Sequence, residues 1–78
     1  MHEVGVAKEI LKLALEKAQG RKVKSLKVEL GDDGHTTPRS LTDAFAMVAA
    51  GTIAEGAVLA ITRTKELESR LIELEVEK

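Results

Sequence analysis

The fold is decided by the stretch from Leu26 to Leu41, which reads LKVELGDDGHTTPRSL. Its first five residues alternate apolar and charged side chains, and this alternation predicts a half-buried β-strand. The next seven, from Gly31 to Thr37, are polar and rich in glycine and aspartate, which is typical of a loop. Thr37 is then a suitable N-cap and Pro38 a suitable first residue for a helix. The stretch therefore predicts a strand, a polar loop and a capped helix in succession.

Two amphipathic helices are predicted around this strand. The first covers Val4 to Ala18 and ends at Gly20, a residue suited to the position after a helix. The second runs from Pro38 to a stop at Gly51. Their apolar stripes consist of Val4, Ala7, Ile10, Leu11, Ala14, Leu15 and Ala18 in the first helix, and of Leu41, Ala44, Phe45 and Val48 in the second.

The C-terminal third predicts two more strands. Residues 57–62 form a short, mostly apolar segment. In residues 72–77 apolar and acidic side chains alternate, which places Ile72, Leu74 and Val76 on one face. The segment between them, residues 63–69, contains no Gly, Pro, Asn or Asp, so a tight hairpin there would lack ordinary turn chemistry. We expect an extended connection, and exchange of the last strand between two protomers is a second interpretation.

These elements predict an α+β domain of two layers, with two helices packed on one face of a three-stranded sheet in the order α-β-α-β-β. The 78 residues form a single domain, residues 1–78, whose core is small. The chain has no cysteine, which excludes disulfides and thiolate zinc sites within it. A homodimer is one way in which such a small core gains stability.

Composition excludes several classes of function. Twelve basic and thirteen acidic residues leave a net charge of −1, and Phe45 is the one aromatic residue, so a nucleic-acid partner is not expected. No apolar run approaches the roughly 20 residues of a membrane span, and the N-terminus lacks the basic region of a signal peptide. No nucleophile–base pair or cofactor loop is present. We therefore expect a cytoplasmic protein that is not an enzyme.

The N-terminal triplet Met1-His2-Glu3 has the donors of a metal chelate. A free α-amine, the imidazole of His2 and the amide nitrogen between them can close fused rings around one ion, with the Glu3 amide nitrogen as a fourth donor. Four nitrogens in a plane suit Ni(II) or Cu(II). The first N–H groups of a helix have no intrahelical acceptor, so these amides are available. Any chain that begins Met-His has these donors, however, and a frayed terminus is the alternative interpretation.

The polar loop contains a second histidine, His35, close in sequence to Asp32 and Asp33. Their spacing matches no ligand template, so we expect an exposed loop histidine and a solvated turn. The basic residues Arg21, Lys22, Lys24 and Lys27 are expected to form a solvated surface, with a docking patch as the alternative.

Three features together resemble a known family. Met1-His2-Glu3 leads directly into a helix, Gly31 is followed after a fixed spacing by Pro38-Arg39-Ser40-Leu41, and the segment GTIAEGA at residues 51–57 opens a strand. The chain resembles, over nearly all of its length, the HypA/HybF family of hydrogenase nickel-maturation proteins.

The resemblance implies a nickel metallochaperone for [NiFe]-hydrogenase assembly. It would hold Ni(II) through Met1, His2 and Glu3 and work with a GTPase partner and the hydrogenase large subunit. Family members carry a zinc-binding insertion with two Cys-x-x-Cys pairs between the last two strands. Here residues 63–69 occupy that place without a cysteine, so we expect the insertion and its structural zinc to be absent. The alternative is a metal-free structural or interaction module that kept the fold without delivering nickel.

Overall fold

Five elements follow one another in the predicted order. The computed structural model describes residues 2–78, while Met1 and the side chain of His2 lie outside the described part. The elements are α1 (His2–Ala18), β1 (Val23–Leu30), α2 (Pro38–Ala49), β2 (Val58–Arg63) and β3 (Arg70–Val76). The predicted α+β class with two helices and three strands is confirmed.

The sheet has the order β2-β1-β3, with β1 in the centre. β1 pairs with β2 in parallel and with β3 in antiparallel orientation. Because β1 separates β2 from β3, the two last strands form no hairpin with each other, as the missing turn residues indicated. The connection bends at residues 65–68, so the expectation of an extended segment is wrong. β3 pairs here with β1 of its own chain, so exchange of this strand between protomers stays a prediction.

The helices form the second layer and enclose the core between themselves and the sheet. α1 packs beside α2 and lies over β3 and β1. Small side chains, Ala7, Ala14 and Ala18, let α1 approach closely, and Ile10 adds a large buried side chain. The rest of the core consists of Val23, Leu26, Val28, Leu30, Leu41, Ala44, Phe45, Ala49 and Ala54. Neither helix, within residues 2–78, is long and apolar enough to span a membrane.

The strands differ from the prediction in their bounds and in one face: β2 covers Val58–Arg63, and β3 begins at Arg70, two residues before Ile72. β1 begins at Val23, three residues before Leu26, where the Val23 N–H donates to the Ile53 carbonyl at 2.8 Å. In β3 the predicted common face of Ile72, Leu74 and Val76 is wrong for Ile72. The register against β1 shifts between Leu71 and Glu73, so Ile72 is the extra residue of a β-bulge. Ile72 is 46% exposed, and Leu71 packs against the core in its place.

Candidate metal centre

The topology places both helix starts at one end of the sheet. α1 is joined to β1 by four residues, 19–22, so the start of α1 lies beside the end of β1. α2 follows β1 through the loop of residues 31–37 and leads back to the parallel strand β2, so it begins at the same end. One cleft is lined both by Gly5 of α1 and by Asp33 of the loop, in agreement with this arrangement.

The start of α1 contains the predicted metal donors. His2 and Glu3 are its first two residues, so the helix begins slightly earlier than the predicted start. The first-turn N–H groups have no intrahelical acceptor, which keeps the amide nitrogens of His2 and Glu3 out of the helical hydrogen-bond ladder. The Glu3 side chain is half-buried. Met1 and the His2 imidazole lie outside the described residues, so the predicted set Met1, His2 and Glu3 stays a prediction.

The start of α2 is closed by its own side chains. The Ser40 N–H donates to Thr37 Oγ1 at 3.0 Å, and the Thr37 N–H donates to Ser40 Oγ at 2.9 Å. Pro38 at the first helical position has no N–H to satisfy. This capping box confirms the predicted N-cap and leaves few donors of this helix start for a ligand.

The loop between β1 and α2 is organised by Asp33. Its carboxylate accepts hydrogen bonds from the N–H of His35 at 2.8 Å and from the N–H and hydroxyl of Thr36 at 2.7 and 2.6 Å. The Thr36 side chain is consequently buried, while His35 is exposed. The expected exposed histidine is confirmed, but Asp33 is half-buried and bonded within the loop, so the expectation of a solvated turn is wrong for this residue. Among the described side chains, no group of three or more His, Cys, Asp or Glu is placed to hold a metal.

The connection between β2 and β3, residues 64–69, crosses directly over the end of β1. The N–H of Thr64 donates to the Leu30 carbonyl at 3.0 Å, and the N–H of Asp32 donates to the Glu66 carbonyl at 2.8 Å. The Gly31 N–H donates to Ser69 Oγ at 2.8 Å. A Cβ at position 31 would lie 2.5 Å from the Leu67 carbonyl oxygen, so this crossing requires glycine. The sequence shows the glycine, but it does not indicate that the backbone of Leu67 and Glu68 packs against it.

Comparison with known proteins decides the family. A family model described as hydrogenase/urease nickel incorporation, metallochaperone, hypA, matches residues 1–68. The chain belongs to the HypA family. The resemblance inferred from residues 1–3, 31–41 and 51–57 is thereby confirmed.

Curated relatives agree with this assignment. Hydrogenase maturation factor HypA from Geobacter sulfurreducens is 33% identical over 63 residues, which cover 81% of this chain and 57% of that protein. Hydrogenase maturation factor HypA 1 from Bradyrhizobium diazoefficiens is 38% identical over 64 residues, which cover 78% of this chain and 57% of the relative. The chain therefore spans little more than half the length of the curated relatives it matches.

A solved structure supports the fold. The solution structure of the Ni metallochaperone HypA from Helicobacter pylori superimposes with a TM-score of 0.75 at 17% sequence identity. The match covers 95% of this chain and 96% of that one. At this identity the likeness establishes the shared fold.

Proposed function

We propose that this chain is the nickel-holding domain of a metallochaperone for [NiFe]-hydrogenase maturation. Ni(II) is its cargo, bound by the α-amine of Met1, the amide nitrogen and imidazole of His2, and the amide nitrogen of Glu3. The observation that carries the proposal is the family match, which begins at residue 1, together with a first helix that starts at His2. The amide nitrogens of His2 and Glu3 thus stand at a helix start, where backbone nitrogens have no helical partner.

The chemistry of these donors selects the metal. Fused chelate rings from consecutive backbone and side-chain nitrogens enforce a planar arrangement, which Ni(II) and Cu(II) accept and Zn(II) and Mg(II) do not favour. The positive end of the α1 dipole opposes a dication, and two deprotonated amides supply the negative charge that offsets it. Binding also requires a neutral amine and imidazole, so it weakens in acid.

The partners follow from the same proposal. The chain exchanges Ni(II) with a GTPase partner and delivers it to the hydrogenase large subunit. Because the proposed donors are residues 1–3, the ion can be transferred without opening the core. It does so as a single domain, residues 1–78. The cysteine-free segment of residues 63–69 stands where a zinc-binding insertion would lie, and no structural zinc is required.

A nickel titration by calorimetry tests the proposal. The protein with its own Met1 amine is compared with the same protein carrying two residues before Met1, because the extension removes the terminal amine and leaves every side chain in place. We expect tight one-to-one binding by the first protein and loss of that binding in the second.

The alternative function, a metal-free structural or interaction module, predicts weak binding by both proteins. Equal and tight binding by both would instead move the metal away from the N-terminal triplet. His35 would then be the first residue to replace, since it is exposed in a loop at the same end of the sheet.

A further inference from the structure

An apolar cleft runs along one side of α1, between this helix and the segment that leads into β3. Its helix wall extends from Gly5 to Leu13, and its opposite wall is formed by residues 67–71. The apolar lining consists of Val6, Ile10, Leu13, Leu67 and Leu71. Leu67 stands at its rim with 79% of its surface exposed, which is unusual for a large apolar side chain beside an apolar cleft.

The rim of this cleft is acidic. Glu9 and Glu68 are exposed carboxylates on opposite walls, and Asp33 adds a third at the loop end, where it also holds the loop together. Among the described residues of the lining, Arg70 is the one cation; Glu29 holds it at 2.6 Å, and this contact raises the pKa of the guanidinium. The two exposed carboxylates, Glu9 and Glu68, outnumber the one guanidinium of the described lining, which Glu29 already pairs, and this gives the rim a negative field.

We propose that this cleft docks a basic, amphipathic segment of a protein partner, with an apolar side chain seated between α1 and Leu71. Charge complementarity selects this occupant, because an acidic rim around an apolar floor favours lysine or arginine beside leucine-like anchors. The helix wall is about 12 Å long from Gly5 to Leu13, enough for two turns of a bound helix. Docking here involves no metal and does not depend on nickel binding.

The test uses metal-free protein and a defined probe, a helix-forming peptide of about 14 residues with leucines at helical spacing and lysines between them. A matched peptide carries glutamate in place of every lysine. Amide resonances of isotope-labelled protein are followed during each titration. We expect shifts confined to residues 5–13, 33 and 67–71 with the lysine peptide, affinity that falls as salt is added, and no binding of the glutamate peptide.

Matched variants distinguish binding in this cleft from non-specific binding of the peptide elsewhere on the surface. Leu67→Ser is compared with Met47→Ser, because both side chains are exposed, 79% and 70%, and Met47 lies on α2 outside the cleft. Glu9→Lys is compared with Glu16→Lys, an exposed α1 residue outside the cleft lining. We expect the two cleft variants to lower the affinity for the lysine peptide by about tenfold, and the two controls to lower it by less than about twofold.

Equal effects of the cleft and control variants would overturn the proposal. Peptide-induced shifts of the amide resonances of residues 17–24, which lie outside the cleft, would overturn it too. Concentration-dependent shifts of the cleft residues without peptide would also overturn it, because the occupant would then be a second copy of this chain. None of these results changes if nickel binding fails, so the two proposals stand or fall separately.

Discussion

The two helix starts lie at the same end of the sheet, yet their backbone donors are treated in opposite ways. At α2, Thr37 and Ser40 exchange hydrogen bonds and Pro38 removes a further N–H, so the start is closed. At α1, the helix begins at His2 and has the acidic residue Glu3 in its first turn. The start of α2 is stabilised by its own side chains, whereas our proposal uses the backbone nitrogens at the start of α1 as ligands of Ni(II).

This difference shows how one element can serve structure in one place and chemistry in another. A capped start adds stability and has little capacity to bind. In our proposal the start of α1 instead uses its backbone nitrogens for the planar nickel chelate. The comparison can be broken by variants that should affect one start and leave the other unchanged.

The largest effect is expected from His2→Ala. Loss of a partner in the outer shell of a metal site typically weakens binding by about 10–100-fold, so loss of the imidazole itself should weaken nickel binding by at least about 100-fold. The free energy of unfolding, measured in urea, should differ from that of the parent by less than about 0.5 kcal/mol, because the substitution is at a helix end. His35→Ala is the control, and calorimetry should show parental affinity for it. Parental affinity of His2→Ala would end the assignment of the triplet.

Gly31→Ala should have the next largest effect, on stability. A methyl group at position 31 would meet the backbone of Leu67 and Glu68 at 2.5–2.7 Å and push the connection off the end of β1. Overpacking of this kind costs about 1–3 kcal/mol, and we expect the upper half of that range because the neighbour is backbone.

Gly5→Ala is the matched control for this loss. Nothing lies within 4 Å of a Cβ at position 5, and the residue is helical. Alanine there should raise the free energy of unfolding by about 0.5–1 kcal/mol. If both variants changed stability in the same direction in urea titrations, the close approach at Gly31 would not matter.

The amide of Glu3 gives a smaller and sharper test. Glu3→Pro removes the N–H that the proposal uses as fourth donor, at a helix position where proline is tolerated. Glu3→Ala keeps the amide and changes the side chain alone. We expect nickel affinity to fall by at least about tenfold in Glu3→Pro relative to Glu3→Ala, which corresponds to about 1.4 kcal/mol. Equal affinities would place the fourth donor elsewhere.

Thr37→Ala should have the smallest effect. It opens the capping box of α2 and should lower the free energy of unfolding by about 1 kcal/mol, with nickel affinity unchanged. Thr42→Ala is the control in the same helix, because Thr42 is exposed and bonds to the Pro38 carbonyl at 2.8 Å without capping the helix. A change in nickel affinity in Thr37→Ala would show that the two helix starts are not independent.

Much of this fold could be predicted because its local signals agree. Thr37 and Pro38 define the start of α2, and the glycines at positions 20 and 51 follow the two helices with positive φ, as the sequence indicated. Alternation in residues 26–30 correctly placed a strand. In each case the signal lies within a few residues of the element that it describes.

The parts that could not be predicted depend on contacts distant in sequence. The bulge at Ile72 arises from the pairing of β3 with β1, so a period-two pattern in β3 alone could not reveal it. Gly31 needs no positive φ, and its requirement comes from a segment more than thirty residues away. The cleft along α1 likewise depends on where residues 67–71 lie. The proposed metal donors could be named from the sequence because they are consecutive in the chain.

β1 lies between β2 and β3, so the segment that joins those two strands has to cross it. The segment of residues 64–69 joins strands that are separated by the width of one strand, about 10 Å from β2 to β3. Closure entropy grows slowly with loop length, by about 0.6 kcal/mol for each doubling, so a module with adjacent ends can be inserted there with little penalty. A whole module can thus be gained or lost between β2 and β3 while the order of the strands stays the same.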